Sequence, residues 1–151
     1  MSSGMHEDII ASLRRLNLKA TPKRIAIIEI LTGASGYMSP EEIWSEMKRR
    51  FIRIGLPTVY RNLEELAKGD IIAQISHPNR QLYYFFCGNS EHHHHFVCLL
   101  CRNVDDISFC AIHELQKEIR RKLNGQVVSH SLQVNGLCKK CLRGKRDKES
   151  V

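Results

Sequence analysis

The chain lacks the features that would indicate a membrane protein or a common class of enzyme. No apolar stretch among its 151 residues is long enough to cross a bilayer. Its amino terminus has no charged segment followed by an apolar run, so we expect no signal peptide and a cytoplasmic location without a membrane partner. Phosphate-binding loops, nucleophile–base pairs and an obvious open catalytic metal position are also absent from the pattern. We therefore expect a protein that is not an enzyme.

The composition is that of a folded, basic protein. The hydrophobic fraction of 42% permits ordinary cores, and the formal net charge of +7 suits a polyanion such as nucleic acid. Lysines and arginines are spread along the chain among carboxylates rather than gathered in one block. Charge alone therefore leaves nucleic-acid binding undecided.

Six cysteines and a run of four histidines carry most of the candidate chemistry. Two Cys-x-x-Cys pairs, Cys98 with Cys101 and Cys138 with Cys141, can together close a tetrahedral zinc site of four thiolates. Because cytosolic thiols stay reduced, such pairs usually bind metal or act in redox chemistry and do not form structural disulfides. A redox-active dithiol is therefore the alternative for either pair. Structural zinc is the interpretation we favour.

The first half of the chain has the pattern of a winged helix-turn-helix. Amphipathic helices are predicted over 5–16 and 22–32, and a capping box at Ser39 and Glu42 begins a third helix. A fourth helix over about 57–68 carries Thr58, Tyr60 and Arg61 in its first turns. Two β-prone runs, 71–76 and 81–86, then predict a hairpin. In this architecture the last helix enters the major groove of double-stranded DNA and the hairpin lies on the flanking phosphates.

The second half predicts a small sheet with one helix. Strands are expected over 94–99, 103–107 and 126–134, and a helix over 108–123. So small a unit buries little surface, so the cysteine site and a homodimer with joined sheets are both expected. The predicted fold class is α+β: a winged-helix domain (1–86), a hinge (87–91), an α/β dimerisation domain (92–143) and a disordered charged tail (144–151).

Strand alternation divides the histidine run into two ligand pairs. If the strand extends back to His92, then His93 and His95 share one face, and His92 and His94 share the other. A site joining Cys87 or His77 to His93 and His95 would span the two halves of the chain. Metal binding there would set the angle between the DNA-reading domains.

Five motifs together resemble the ferric uptake regulator (Fur) family of bacterial metal-dependent repressors. They are 21–24 (Thr-Pro-Lys-Arg), 39–43 (Ser-Pro-Glu-Glu-Ile), 57–63 (Pro-Thr-Val-Tyr-Arg-Asn-Leu), 92–101 (the histidine run with the first cysteine pair) and 130–141 (His-Ser-Leu-Gln-Val-Asn-Gly with the second pair). The resemblance covers roughly residues 13–141. It implies an amino-terminal winged helix, a carboxy-terminal dimerisation domain, and metal-dependent binding to AT-rich palindromes.

The resemblance also implies roles by position. DNA contacts are implied for the recognition helix and its neighbours: Lys19, Arg24, Thr58, Tyr60 and Arg61. Structural zinc is implied at the four cysteines of the paired motifs. An accessory metal site is implied at His92, His94, His113 and His130, where many relatives have an acidic residue in place of His113.

The regulatory hinge site departs from the pattern of iron and peroxide sensors. Those relatives have a histidine before the third helix, where this chain has Tyr37, and a carboxylate before the histidine run. This chain has Cys87 six residues before His93, where zinc-uptake regulators have a thiolate ligand. Thiolate and imidazole ligands suit zinc better than iron(II) or manganese(II), so a zinc-uptake-regulator-like member is favoured, with Cys87, His77, His93 and His95 as ligands. Asp106 is a further possible ligand, and its position favours the iron or peroxide alternative.

The favoured hypothesis is a zinc-sensing repressor of metal-uptake genes. A peroxide-, iron- or manganese-sensing repressor of the same family is the alternative within the class. From another class, a metal-storage or thiol-redox protein would use the same clusters without binding DNA. Structural zinc and a second, regulatory divalent metal are the expected cofactors.

Overall fold

The computed structural model describes residues 3–89 and 91–149, which form two compact units. The first unit is Met1–Gly88 and the second is Asn89–Val151, so the division falls inside the predicted hinge. Helices and short strands occur in both units, and the fold is of the predicted α+β class. Each unit is described separately below.

The first unit has the element order of a winged helix-turn-helix. Its helices are α1 (Ser3–Arg15), α2 (Pro22–Gly33), α3 (Pro40–Arg50) and α4 (Leu56–Lys68). Its strands, β1 (Ala73–Ser76) and β2 (Leu82–Phe85), pair antiparallel as the predicted hairpin.

Local sequence signals explain where α2 and α3 begin. The Thr21 hydroxyl accepts a hydrogen bond from the Arg24 backbone N–H at 3.4 Å. Ser39 and Glu42 form the predicted capping box: each side chain accepts a hydrogen bond from the other residue's backbone N–H, at 3.1 and 2.8 Å. A proline follows each cap in the first helical turn, where a missing N–H costs nothing.

The core of the first unit fixes which face of α4 is outside. Val59, Leu63 and Leu66 are fully buried, as their helical spacing predicted. Tyr60 and Arg61 therefore lie on the exposed side of the same helix. Trp44 of α3 is half-buried, and its indole N–H donates to the Ile54 carbonyl at 2.9 Å.

The second unit contains a three-stranded sheet and two helices. Its elements are β3 (His94–Cys98), β4 (Val104–Ile107), α5 (Ile112–Leu123), β5 (Gln133–Gly136) and α6 (Lys139–Glu149). The strand order is β4-β3-β5, with β4 antiparallel and β5 parallel to β3. Of its residues whose burial is described, only His94, Val97 and Cys98 are buried. Ordinary apolar burial therefore contributes little to holding this unit together.

Three elements of the second unit differ from the sequence prediction by more than one residue. The third strand was expected over 126–134 but is Gln133–Gly136, because pairing with the central strand β3 places it there. The helix expected over 108–123 begins only at Ile112, leaving 108–111 as a loop. The tail expected to be disordered from 144 is helical to Glu149, and the expectation for 150–151 lies outside the described residues.

No helix in the described part of the chain combines the length and hydropathy needed to span a membrane.

Candidate metal centres and nucleic-acid interface

The two cysteine pairs converge on one point in the second unit. The Sγ atoms of Cys98, Cys101, Cys138 and Cys141 all lie within 4.8 Å of one another. The Cys101 and Cys138 sulfurs are 3.6 Å apart, too far for a disulfide of about 2.05 Å. Two thiolates bound to one tetrahedral zinc at about 2.3 Å would be roughly 3.8 Å apart. The cluster therefore has the ligand set and spacing of a structural zinc site.

The electrostatics of this cluster call for a cation. Burial opposes ionisation of Cys98, but backbone N–H groups, including that of Cys138 at 3.3 Å, outweigh it and lower the pKa of Cys98 to about 6. Burial and the neighbouring thiols raise the pKa of Cys141 to about 12. Four thiolates this close together would repel one another, and a bound zinc ion would supply the compensating positive charge.

A second donor cluster consists of His93, His95 and Asp106. The two Nε2 atoms are 2.8 Å apart, and Asp106 Oδ1 lies 3.8 Å from that of His93 and 3.9 Å from that of His95. The register explains the grouping, because His95 pairs with Asp106 across β3 and β4 and alternation puts His93 on the same face. Ligand atoms around an ion with bonds near 2.1 Å are about 3.0–3.4 Å apart, so small side-chain shifts would bring these three onto one ion.

Neighbouring groups already orient these donors. His93 Nδ1 lies 2.6 Å from the Glu91 carbonyl, which can only accept, so this nitrogen carries the proton and Nε2 keeps its lone pair. The Asn89 amide donates to the other oxygen of Asp106 at 2.8 Å. Burial, and then the neighbouring His93, lower the pKa of His95 and favour the neutral imidazole that a metal needs. These are the outer-shell features of metal sites.

The remaining predicted hinge ligands lie in the first unit. Cys87 follows β2 and is half-buried. His77 is in the β1–β2 turn, where its ring centroid is 5.2 Å from that of Tyr83, and its Nδ1 accepts the Asn79 backbone N–H at 3.2 Å. Tyr37 is 2% exposed and packs edge-on against Tyr83 at 5.0 Å. Tyr37 is therefore a buried residue that packs against an aromatic ring. It occupies the position at which the family resemblance places a histidine in iron and peroxide sensors.

A third cluster differs from the predicted accessory site. His92, His94 and His130 do lie together, but the fourth donor within 4.8 Å is Cys110 and not His113. The Cys110 sulfur is 3.3 Å from His130 Nε2 and 3.5 Å from His92 Nε2. The difference follows from the late start of α5, which leaves Cys110 in the preceding loop and His113 exposed in the first helical turn. Cys110 was not predicted as a ligand because the predicted helix over 108–123 included it.

The predicted DNA-contacting residues are all in the first unit. Lys19, Tyr60 and Arg61 are exposed, and the Tyr60 hydroxyl donates to Glu41 at 2.8 Å. That hydrogen bond raises the pKa of Tyr60 and lowers the pKa of Glu41. Thr58 and Arg61 line a cleft of about 630 Å³ that also includes residues from the start of α2. The start of α4 thus presents exposed polar and charged side chains with the chemistry that hydrogen bonds to bases and phosphates need.

Arg24 differs from the other four in being mostly enclosed. Its guanidinium pairs with Glu65 of α4 and donates to the Lys19 carbonyl at 2.9 Å. The side chain is only 13% exposed, and its Nε is buried without a hydrogen-bond partner among the described residues. The structure gives Arg24 the role of joining α2 to α4.

Comparison with known proteins gives the family. Residues 15–135, most of the chain, match the family model described as the ferric uptake regulator family. The chain belongs to this family. The Fur family resemblance inferred from the five motifs is thereby confirmed.

Relatives within the Fur family include sensors of different signals. The crystal structure of the Vibrio cholerae ferric uptake regulator is 32% identical, with a TM-score of 0.59 over 86% of this chain and 99% of that chain. A peroxide-responsive repressor, PerR, of Staphylococcus aureus is 26% identical over 135 residues, which are 89% of this chain and 90% of that protein. A zinc uptake regulator complexed with zinc and DNA has a TM-score of 0.78 over 97% of this chain and 99% of that chain; at 16% identity it shows the fold alone.

Proposed function

We propose that this protein is a DNA-binding transcriptional repressor that responds to zinc and controls metal-uptake genes in the cytoplasm. The observation that carries the proposal is the combination, in one Fur family chain, of an exposed recognition helix and a preorganised donor cluster of His93, His95 and Asp106. The donor cluster lies next to the segment that joins the two units. A ligand-dependent restraint at that position can bias how the units are held.

DNA binding is proposed through the first turns of α4. Tyr60 and Arg61 are exposed there because the opposite face of the helix is buried, and Thr58 lines the adjoining cleft. In this proposal Lys19 contacts the phosphate backbone or the minor groove, and the site is an AT-rich palindrome. In this proposal Arg24 stabilises the packing of α2 against α4 and does not contact a base, because its guanidinium is paired with Glu65 of α4.

Zinc is proposed as the sensed metal because of the donor set. We propose that Cys87, six residues before His93, completes the site, so that the ligands are a thiolate, two imidazoles and a carboxylate. A thiolate and two imidazoles favour zinc over iron(II) or manganese(II). The burial of Tyr37 supports the same choice, since that position offers no imidazole. His77 remains a proposed alternative ligand, with Asp106 now the better supported fourth donor.

A homodimer is proposed through the second unit. Only three residues of this unit are buried among those described, too few to form a hydrophobic core for a unit of this size. Large apolar side chains are left outside, including Phe109 (73% exposed), Leu123 (75%) and Val128 (94%). A second copy would bury these side chains, and dimers are the usual form of proteins that bind palindromes.

A peroxide-, iron- or manganese-sensing repressor is the second candidate. Asp106 favours it, because a carboxylate suits iron(II) and manganese(II). The similarity to a peroxide-responsive repressor also supports it. A storage or thiol-redox protein is the remote alternative, and a steep salt dependence of duplex binding would exclude it, since counterion release requires contact with DNA phosphates.

The proposed sensing site is tested by comparing a variant of Cys87 with a control variant of an exposed histidine. Duplex binding is followed by fluorescence anisotropy with free zinc held by a metal buffer. Cys87→Ser should raise the free zinc needed for half-maximal binding by at least about tenfold, the lower end of the effect of an outer-shell ligand partner. His113→Ala is the control, because His113 is exposed and belongs to no donor cluster among the described residues, and this variant should respond like the original chain. Equal zinc thresholds for Cys87→Ser and the original chain would remove Cys87 from the site.

A further inference from the structure

One carboxylate of the first unit is hydrogen-bonded to a side chain of the proposed DNA interface. Glu41 lies in the first turn of α3, and the Tyr60 hydroxyl of α4 donates to its Oε1 at 2.8 Å. Both residues are exposed, Tyr60 to 42%. The proposed function assigns Tyr60 to DNA and gives Glu41 no role. The pair therefore lies where a duplex would meet α4, and its own contribution to recognition is open to derivation.

The chemistry of the two groups fixes the direction of this hydrogen bond. A carboxylate has no proton and can only accept, whereas a tyrosine hydroxyl has one proton and also accepts. Glu41 stays ionised at neutral pH, since hydrogen bonds from Tyr60 and from its own backbone N–H lower its pKa. Its position in the first turn of α3 adds the favourable field of a helix amino terminus. The single proton of the Tyr60 hydroxyl is therefore engaged by Glu41.

A hydroxyl whose proton is engaged can only accept a hydrogen bond from a base. In the major groove the donors are the N6 amino group of adenine and the N4 amino group of cytosine. Guanine and thymine offer only acceptors there, and an acceptor facing the Tyr60 oxygen would have no proton to share. The hydrogen bond to Glu41 thus gives Tyr60 a means of distinguishing bases that carry an amino group from those that do not.

We propose that Glu41 is a specificity-determining residue: by holding the Tyr60 proton it makes that hydroxyl an acceptor that selects adenine or cytosine. The proposal rests on the proposed function, because it requires α4 to enter the major groove. Glu41 acts through Tyr60 and is a positioning residue that does not itself contact a base. Its negative charge also repels phosphates, but that effect is the same for every base sequence. A change in base preference therefore separates the proposed role from a general effect of charge.

The experiment measures base preference as well as affinity. The probe is the duplex upstream of this protein's own gene, with each base pair of the bound site replaced in turn by the other three. Fluorescence anisotropy is recorded at saturating zinc on the original chain and on its variants. Tyr60→Phe identifies the position that the hydroxyl contacts. There it should reduce a preference for adenine or cytosine by about three- to tenfold, the net effect of one hydrogen bond.

Glu41→Gln should weaken the same preference. An amide can donate as well as accept, so the Tyr60 proton becomes available to guanine or thymine. This effect should disappear when Tyr60→Phe is also present, because Glu41 acts through the hydroxyl. Glu46→Gln is the matched control: it removes the same charge from α3, where Glu46 pairs with Arg49 at 3.1 Å. It should change the affinity for all duplexes by the same factor.

A measurement without DNA tests the pair itself. Three of the chain's four tyrosines are buried, namely Tyr37, Tyr83 and Tyr84. Tyr60 is the exposed one, so its ionisation is followed by tyrosinate absorbance before the others titrate. The hydrogen bond to Glu41 raises the pKa of Tyr60. This pKa should therefore fall in Glu41→Gln and stay unchanged in Glu46→Gln.

The outcomes that overturn the proposal are distinct from one another. They are an equal pKa of Tyr60 in the two glutamine variants, base preferences unaffected by Tyr60→Phe, a hydroxyl-dependent preference for guanine or thymine, and a preference unaffected by Glu41→Gln. Any of these with duplex binding intact refutes this proposal alone. A chain that binds no duplex at saturating zinc refutes the proposed function and this proposal with it.

Discussion

The Arg24–Glu65 ion pair should contribute measurably to the stability of the first unit. Glu65→Gln keeps the size of the side chain and one acceptor oxygen but removes the negative charge. Arg24, at 13% exposed, would then be a mostly enclosed cation without a counter-ion, while its hydrogen bond to the Lys19 carbonyl remains. We therefore expect the main loss to be electrostatic.

The magnitude follows from burial on the two sides of the pair. Breaking a fully buried pair costs about 3–5 kcal/mol, whereas an exposed pair contributes roughly 0.2–1 kcal/mol. Because Glu65 is 37% exposed, solvent screens the pair, and we expect a loss of about 1–3 kcal/mol in the free energy of unfolding. For a unit of this size, the melting temperature falls by about 4–8 °C for each kcal/mol.

The assay is urea denaturation followed by tryptophan fluorescence. Trp44 is the chain's one tryptophan and reports on the first unit alone. Glu64→Gln, at the preceding position of α4, is the matched control. Glu64 pairs with Lys68 at 2.9 Å, but both side chains are more than 60% exposed, so this ion pair is screened by solvent. Glu64→Gln should change stability by less than about 0.5 kcal/mol. Equal effects of the two variants would refute the assignment of Arg24 as a structural residue.

Three further predictions concern the interface, the structural zinc and the sheet. Arg61→Ala should weaken duplex binding by about 1–3 kcal/mol if its exposed side chain reads a base; unchanged affinity in anisotropy would remove it from the interface. Cys101→Ser should release zinc and unfold the second unit while tryptophan fluorescence stays native; retained zinc, by elemental analysis, would contradict the four-cysteine site. Gly136→Ala should lower the free energy of unfolding of the second unit by about 1–3 kcal/mol, because a Cβ at this position would lie 2.9 Å from the Phe96 ring. A Cβ at Gly144, inside α6, would have nothing within 4 Å, so Gly144→Ala should not destabilise the chain and should favour the helix slightly. The measurement is the resistance of the zinc in the four-cysteine site to a chelator, and equal resistance of the two variants would refute the clash at Gly136.

Features determined by neighbours in sequence were predictable. The capping box at Ser39 and Glu42 depends on a three-residue spacing, and the structure has both of its hydrogen bonds. The two Cys-x-x-Cys pairs carry their own geometry, so their convergence could be inferred before any fold was known. Strand alternation likewise separates His93 and His95 from the other two histidines of the run.

Features determined by distant contacts were not predictable. The last strand of the sheet lies at Gln133–Gly136 because it pairs in parallel with β3, and no local pattern distinguishes it from the β-prone residues before it. Cys110 joins its cluster because α5 starts late, and a helix boundary is uncertain by several residues from sequence alone. The enclosure of Arg24 depends on Glu65, 41 residues further along the chain. A basic residue near a recognition helix gives no sign of such a partner.

Zinc sensing is tested by measuring duplex binding with free zinc, iron(II) and manganese(II) each held by a metal buffer. Fluorescence anisotropy is recorded on the DNA upstream of this protein's own gene, with the four-cysteine site filled beforehand. We expect tight binding switched on by zinc at free concentrations far below those needed for the other two ions. Binding switched on by iron(II) or manganese(II), with zinc ineffective beyond the four-cysteine site, would contradict this expectation.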